Sequence, residues 1–265
     1  MSPRDPFTKA LYDARRSLAG WALAIVAVGT LYASFWPTMQ TPEMARAMQA
    51  YPQELLAAFN YRDLTSAAGY LGSAVYGLLV PLLVAVLAIA AGTRAVAGDE
   101  EAGTLDLVLA HPVGRVRLAL HRFAAVAVGV VGVAVLLGAA MVALGGAVDF
   151  AGVTVGGFAA MTVHLALFGV VFAALAFAVG AATGRRAAAL GAGAGVAVLG
   201  YLANSVFPQV QALSWTRDGS PFHWYLGGDP LVHGVQPGGL LALLATTGVL
   251  VAAGTWWFTR RDLGT

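Results

Sequence analysis

The chain has 265 residues, 59% of them apolar and 11% charged, with a formal net charge of +2 and no cysteine; its mean hydropathy is +0.76. A soluble domain carries about 25% charged residues, so this composition excludes an ordinary soluble enzyme, and so much apolar surface excludes a disordered chain. The near-neutral charge argues against a nucleic-acid binder, and the lack of cysteine removes disulfides, thiolate metal sites and a cysteine nucleophile.

Six stretches free of Asp, Glu, Lys and Arg approach or exceed the length needed to cross about 30 Å of hydrocarbon: residues 18–35, 67–91, 123–144, 158–182, 187–207 and 239–258. A single such charge at mid-bilayer costs about 2.5–3.5 kcal/mol. The runs are continuous rather than alternating, which excludes a β-barrel. The fold class is therefore an all-α polytopic membrane protein of six transmembrane helices, a single transmembrane domain over 1–265.

Before the first span, Phe7, Ala10, Leu11, Ala14 and Leu18 fall on one helical face. Residues 1–17 read as an interfacial helix bending into that span, or as a plain positive flank that sets topology. Residues 36–66 form a long loop with Met44, Met48, Tyr51, Leu55, Leu56 and Phe59 on a helical stripe. They read as amphipathic helices on the outer surface or as a packed loop. The second span carries Pro81, and residues 183–186 make a tight turn between the fourth and fifth spans. The segment 208–238 is aromatic and rich in Pro and Gly, a composition that suits the membrane interface.

The basic residues give an orientation. With an even number of spans both termini share a side, and that side holds twelve Lys and Arg against three, Arg46, Arg62 and Arg217, on the other. The asymmetry predicts cytoplasmic termini.

The longest inner loop, 94–122, is built differently from the rest. An acidic cluster, Asp99, Glu100 and Glu101, precedes Gly103. Thr104 is a good N-cap, Asp106 suits the first turn, and Leu105, Val108 and Leu109 share one face. Pro112 and Gly114 end this helix after about 12 Å, and Arg115, Arg117 and Arg122 lead back to the membrane. A short apolar-faced helix at a membrane surface needs a partner, either the bundle or a groove in another protein.

The stretch Glu100-Glu101-Ala102-Gly103-Thr104-Leu105-Asp106-Leu107-Val108-Leu109-Ala110-His111-Pro112-Val113-Gly114-Arg115 resembles the cytoplasmic signature of the ABC-2 exporter permeases: an acidic pair, Gly-Thr-Leu, a Leu-rich turn and Pro-Val-Ser-Arg. Gly114 stands where Ser is usual. The segment from Ser220 to Leu231, the ending Phe258-Thr259-Arg260-Arg261-Asp262-Leu263 and the opening Arg15-Arg16-Ser17-Leu18 with Gly20-Trp21 are similar to the same family. The resemblance implies a prokaryotic plasma-membrane permease with both termini inside. Two copies would pair, each engaging a separate ABC ATPase, so the complex would hold two ATPase subunits. Loop 94–122 would supply a coupling helix for that ATPase, through Glu100, Glu101, Gly103, Thr104, Leu105, Asp106, Val108, Leu109, Pro112 and Arg115. The hairpin 208–238 would cap the pathway.

The lone lysine, Lys9, follows Pro6-Phe7-Thr8 rather than a Gly-rich turn, so the chain has no P-loop. It is expected to bind no cofactor and to catalyse nothing itself, with ATP and Mg on the partner ATPase. A gradient-driven carrier or channel, or a membrane assembly subunit, is the competing reading. Carriers usually place ionisable groups inside spans, and here His164 is the one candidate, with Asn204 a neutral polar companion. His164 reads as a proton relay or substrate contact, or as a hydrogen bond to a neighbouring helix. Asn204, Tyr201 and Tyr76 read as pathway residues, as helix glue or as aromatic belt. Gly191 and Gly195 make a small-xxx-small pair for close helix contact, either with a second copy or within one subunit. His223, Asp229 and His233 fit no metal-ligand spacing, because prolines and glycines break any helical register between them.

Overall fold

The first apolar stretch forms α1 (Pro6–Ser34), followed by the single turn α2 (Trp36–Met39) in a computed structural model that describes residues 5–41, 43, 46, 52, 66–101 and 114–261. Pro6 sits in the first turn, where its missing N–H is no loss. The expected interfacial helix is not a separate element from Pro6 onward. Nothing in its sequence stops a helix, and Lys9, Tyr12, Asp13, Arg15 and Arg16 ride exposed on the same uninterrupted α1. The stripe from Met44 to Phe59 lies outside the described residues.

The second stretch is interrupted. Ser66 Oγ accepts the Gly69 N–H (3.1 Å) and opens α3 (Ala67–Tyr70), which runs into a π-helical turn over Leu71–Val75 before α4 (Leu79–Ala95). Pro81 has no N–H to give the Gly77 carbonyl and its ring crowds that position, so a continuous α-helix is not available there. A turn, α5 (Ala97–Glu101), follows α4. Next come α6 (Arg115–Gly145), α7 (Val155–Thr183) and α8 (Arg186–Ser205). Thr154 Oγ1 accepts the Gly157 N–H at the start of α7, and Gly184 ends it in the left-handed conformation (φ 67°). Two short 3₁₀ helices, Phe207–Gln209 and Gln211–Arg217, lead into α9 (Pro221–Leu226), α10 (Pro230–His233) and α11 (Pro237–Arg260). There is no strand among the described residues, and six helical spans are long and apolar enough to cross a membrane.

The bundle is arranged around α7, whose most apolar window is 78% buried. Helices α4, α6, α8 and α11 all pack on it, and α1 packs against α6. Lipid is as apolar as leucine, so close contact rather than water exclusion holds such helices together, and small residues permit it. A Cβ at Gly92 of α4 would run into the Ala173 carbonyl of α7, and one at Gly254 of α11 would lie 2.7 Å from Ala178 Cα. The outward faces remain apolar, with Leu23, Leu241 and Val249 each about two-thirds exposed or more, as suits a surface in contact with acyl chains.

Overpacking a tight seam costs about 1–3 kcal/mol. Gly254→Val is therefore expected to lower the melting temperature of the detergent-purified protein by several degrees. Gly248→Val, on an open face of the same helix, is expected to leave it unchanged.

Candidate functional site

Arginines tie together the end of the bundle that carries the 94–122 loop. Arg122 Nη1 donates to the Ala95 carbonyl at the C-terminus of α4 (3.1 Å). Arg261 Nη1 donates to the Ala181 carbonyl in the last turn of α7 (3.0 Å), and Arg115 Nη1 to the Arg261 carbonyl (3.2 Å). The Ala95 and Ala181 carbonyls lie in last turns, where helix C=O groups lack intrahelical partners and the dipole favours a cation. Burial pulls the Arg261 pKa down from its ordinary value, yet a guanidinium remains charged in proteins. Asp5 Oδ1 at the start of α1 meets His121 Nδ1 of α6 at 3.2 Å. The two described edges of the loop and both ends of the described chain thus meet on one face.

Of the residues that the resemblance assigns to coupling, Glu100 lies in α5. Glu101 accepts the Arg186 backbone N–H at Oε1 (2.7 Å), and Arg115 opens α6. Gly103, Thr104, Leu105, Asp106, Val108, Leu109 and Pro112 lie outside the described residues.

At the opposite end the segment 208–238 corrects the interfacial expectation in part. Trp215 is exposed, but α9 dips into the bundle and buries Phe222 and Tyr225. Phe168, about 20 Å along α7 from Val155, packs its ring 4.9 Å from Phe172, Phe222 and Tyr225 alike. Ser220 opens α9 in two ways. Its Oγ donates to the Gly200 carbonyl of α8 (2.6 Å) and accepts the Phe222 N–H (3.1 Å). Stacking and a satisfied turn outweigh the general preference of aromatics for the interface, because the pocket between α7 and α8 accepts whole rings.

Of the candidate pathway residues, Tyr201, Tyr76 and His164 lie against α9. Tyr201 stands edge-on to Phe222 with centroids 5.6 Å apart. Tyr76 sits at the break between the π-turn and α4, and its carbonyl accepts the Tyr225 hydroxyl (3.2 Å). The Tyr76 hydroxyl is itself buried without a partner among the described residues. His164 is fully buried, and its Nε2 accepts the Gln236 N–H (3.1 Å) at the head of α11. An accepting Nε2 leaves the proton on Nδ1, beside the backbone of Trp224 and Tyr225. Asn204 Nδ2 donates to Ser205 Oγ (3.1 Å), while its Oδ1 is buried without a partner among the described residues. A cleft of about 140 Å³ lies nearby between α3, α7 and α10, lined by Ser66, Ser73, Met161, Asp229 and Leu231 among others. Gly191 and Gly195 point into open space, whereas Gly193 between them packs on Ile89.

Sequence reasoning missed Phe168, Phe222, Tyr225 and Gln236 as the hub. The available signal was Ser220-Pro221, an N-cap followed by a first-turn proline, opening an aromatic run too short to span.

Six apolar spans, the most buried of them at the centre, with a re-entrant aromatic turn at one end and an arginine-tied rim at the other, mark a multi-pass membrane protein. The family described as ABC-2 family transporter protein matches residues 7–263, and the chain belongs to that family. It is a permease component of an ABC transporter, and such permeases generally work with an ABC ATPase as the partner. No curated protein matches the chain.

The His164 bond yields a direct test. His164→Leu leaves the part-buried Gln236 N–H without its acceptor, at a cost of about 1 kcal/mol. His164→Gln, with an amide oxygen within reach, is expected to keep a melting temperature several degrees above that of His164→Leu.

Proposed function

We propose that this chain is the membrane half of an ATP-driven exporter in a prokaryotic plasma membrane. In this reading it acts as a homodimer with two ATPase subunits and carries an amphiphilic, drug-like or lipid-like substrate outward. The observation that carries the reading is the convergence of the two described edges of the 94–122 loop with Asp5 and Arg261, at the two ends of the described chain, on one arginine-tied face. The excess of Lys and Arg on that face supports a cytoplasmic location for both termini.

Mechanically, closure of the ATPase pair carries each seated coupling segment with it. The chain's own rigid helices turn that displacement into alternating access. Nucleotide and Mg belong to the partner, since Lys9 heads no P-loop. The apolar spans, relieved by a few hydroxyls and Asp229 at the cleft, favour an amphiphile over a sugar or a bare ion. The open faces at Gly191 and Gly195 support α8 as the surface that meets the second copy.

The test is Leu105→Glu with Leu109→Glu. The double variant is expected to elute as a folded permease yet lose at least about 90% of the Walker A ATPase that the wild type retains on purification. Full retention of the ATPase would sink the coupling assignment. Transport driven by a proton gradient, with no nucleotide, would sink the exporter reading. Gly191→Leu with Gly195→Leu is expected to shift the native mass from dimer to monomer.

A further inference from the structure

The fifth span begins in an electrostatically poor way. Its N-cap is Arg185 and its first residue Arg186, and no acidic residue stands in the first turn. Arginine has no acceptor to offer the free N–H groups of a helix start. Two cations there also oppose the positive end of the helix dipole. The missing anion comes from elsewhere in the chain: Glu101, 85 residues away, accepts the Arg186 N–H at 2.7 Å. Its other oxygen stands 3.9 Å from Arg186 Nε. The approach is tight behind this contact. A Cβ at Gly180 of α7 would touch both Ala97 of α5 (3.3 Å) and Ala189 of α8 (3.7 Å).

We infer that Glu101 is a positioning residue that ties the ATPase-facing loop to the backbone of α8, so that displacement of the loop is delivered to the fifth span directly. The inference rests on the coupling reading given above. The contact is made where it can transmit. Glu101 ends the turn α5 within the stretch that the resemblance assigns to coupling, and Arg186 is the first residue of a helix whose far half meets α9 through the Ser220–Gly200 bond. Because the short bond goes to a main-chain amide, its partner survives any side-chain change at 186 other than proline. The guanidinium, nearly half exposed like Glu101 itself, adds a screened ion pair of small effect.

The experiment uses the chain with its retained ATPase in lipid nanodiscs. The protein has no cysteine, so Val155→Cys and Val210→Cys place two nitroxides at the far end of α7 and in the 3₁₀ segment just beyond the far end of α8. Their separation is measured with and without ATP plus vanadate. The wild type and Arg186→Ala are expected to show the same nucleotide-driven shift. Glu101→Gln, which keeps an accepting oxygen, is expected to retain most of it. Glu101→Ala is expected to lose at least about half of the shift while still holding the ATPase. In the same variant, hydrogen exchange at the start of α8 should rise about fivefold, the factor that a lost helix cap carries.

Arg185→Asp in the Glu101→Ala background supplies a local cap. It is expected to restore protection from exchange but not the shift. Four results would overturn the inference: an unchanged shift in Glu101→Ala, an equal loss in Arg186→Ala, loss of the ATPase from Glu101→Ala, or recovery of the shift by the local cap. ATPase retention by Leu105→Glu with Leu109→Glu would instead remove the coupling reading and leave the Glu101 cap standing.

Discussion

Everything in this fold is arranged around a helix with almost no face left for lipid. α7 carries no charge, meets α4 and α11 through backbone-close seams at Gly92 and Gly254, and receives the rings of α9 on Phe168 and Phe172. Such seams tolerate little shift, because packed interiors have no slack to absorb one. The surrounding helices therefore move, if they move, as bodies against a fixed post. That constraint is what a mechanical permease requires: an immobile axis and an attached element whose displacement means something.

The two ends of the bundle are held by different chemistry. At the loop end the contacts are between charges and backbone carbonyls or amides, with partial exposure to solvent. They are directional and reversible. At the far end the contacts are mostly aromatic and buried, with a handful of neutral hydrogen bonds from Ser220, Tyr225 and Gln236. The first kind suits a place where force arrives and leaves, the second a plug that keeps a membrane sealed. His164 belongs to the second group in this structure, since its accepting nitrogen is already taken by the Gln236 amide.

The number and apolar character of the spans were legible because a bilayer imposes a length and forbids charge, and both constraints are written residue by residue. The break in the second span was half legible: Pro81 announced a disturbance, but the π-turn over Leu71–Val75 depends on packing that no local rule encodes. The burial of Phe222 and Tyr225 was hidden. Aromatic residues in a Pro- and Gly-rich segment look the same whether they float at an interface or insert between helices, and only the complementary surface of α7 decides. Glu101 was visible as part of an acidic cluster and a family signature, but its partner was not. The clue was a negative one, two arginines at the head of a helix with nothing nearby to balance them. The faces of Gly191 and Gly195 show the limit from the other side. Spacing marks them as small, and the structure shows them uncovered within one subunit.

The link between α7 and α8 consists of Gly184, in the left-handed conformation, and Arg185, with Thr183 Oγ1 accepting the Arg185 N–H at 3.2 Å. So short a bridge fixes the two helices to each other at that end and leaves them one way to rearrange, a splay about the bend. Over the roughly 30 Å length of α8, a tilt of ten degrees would carry its opposite tip about 5 Å sideways. A pair of callipers works the same way: a small angle at the joint becomes a gap at the points.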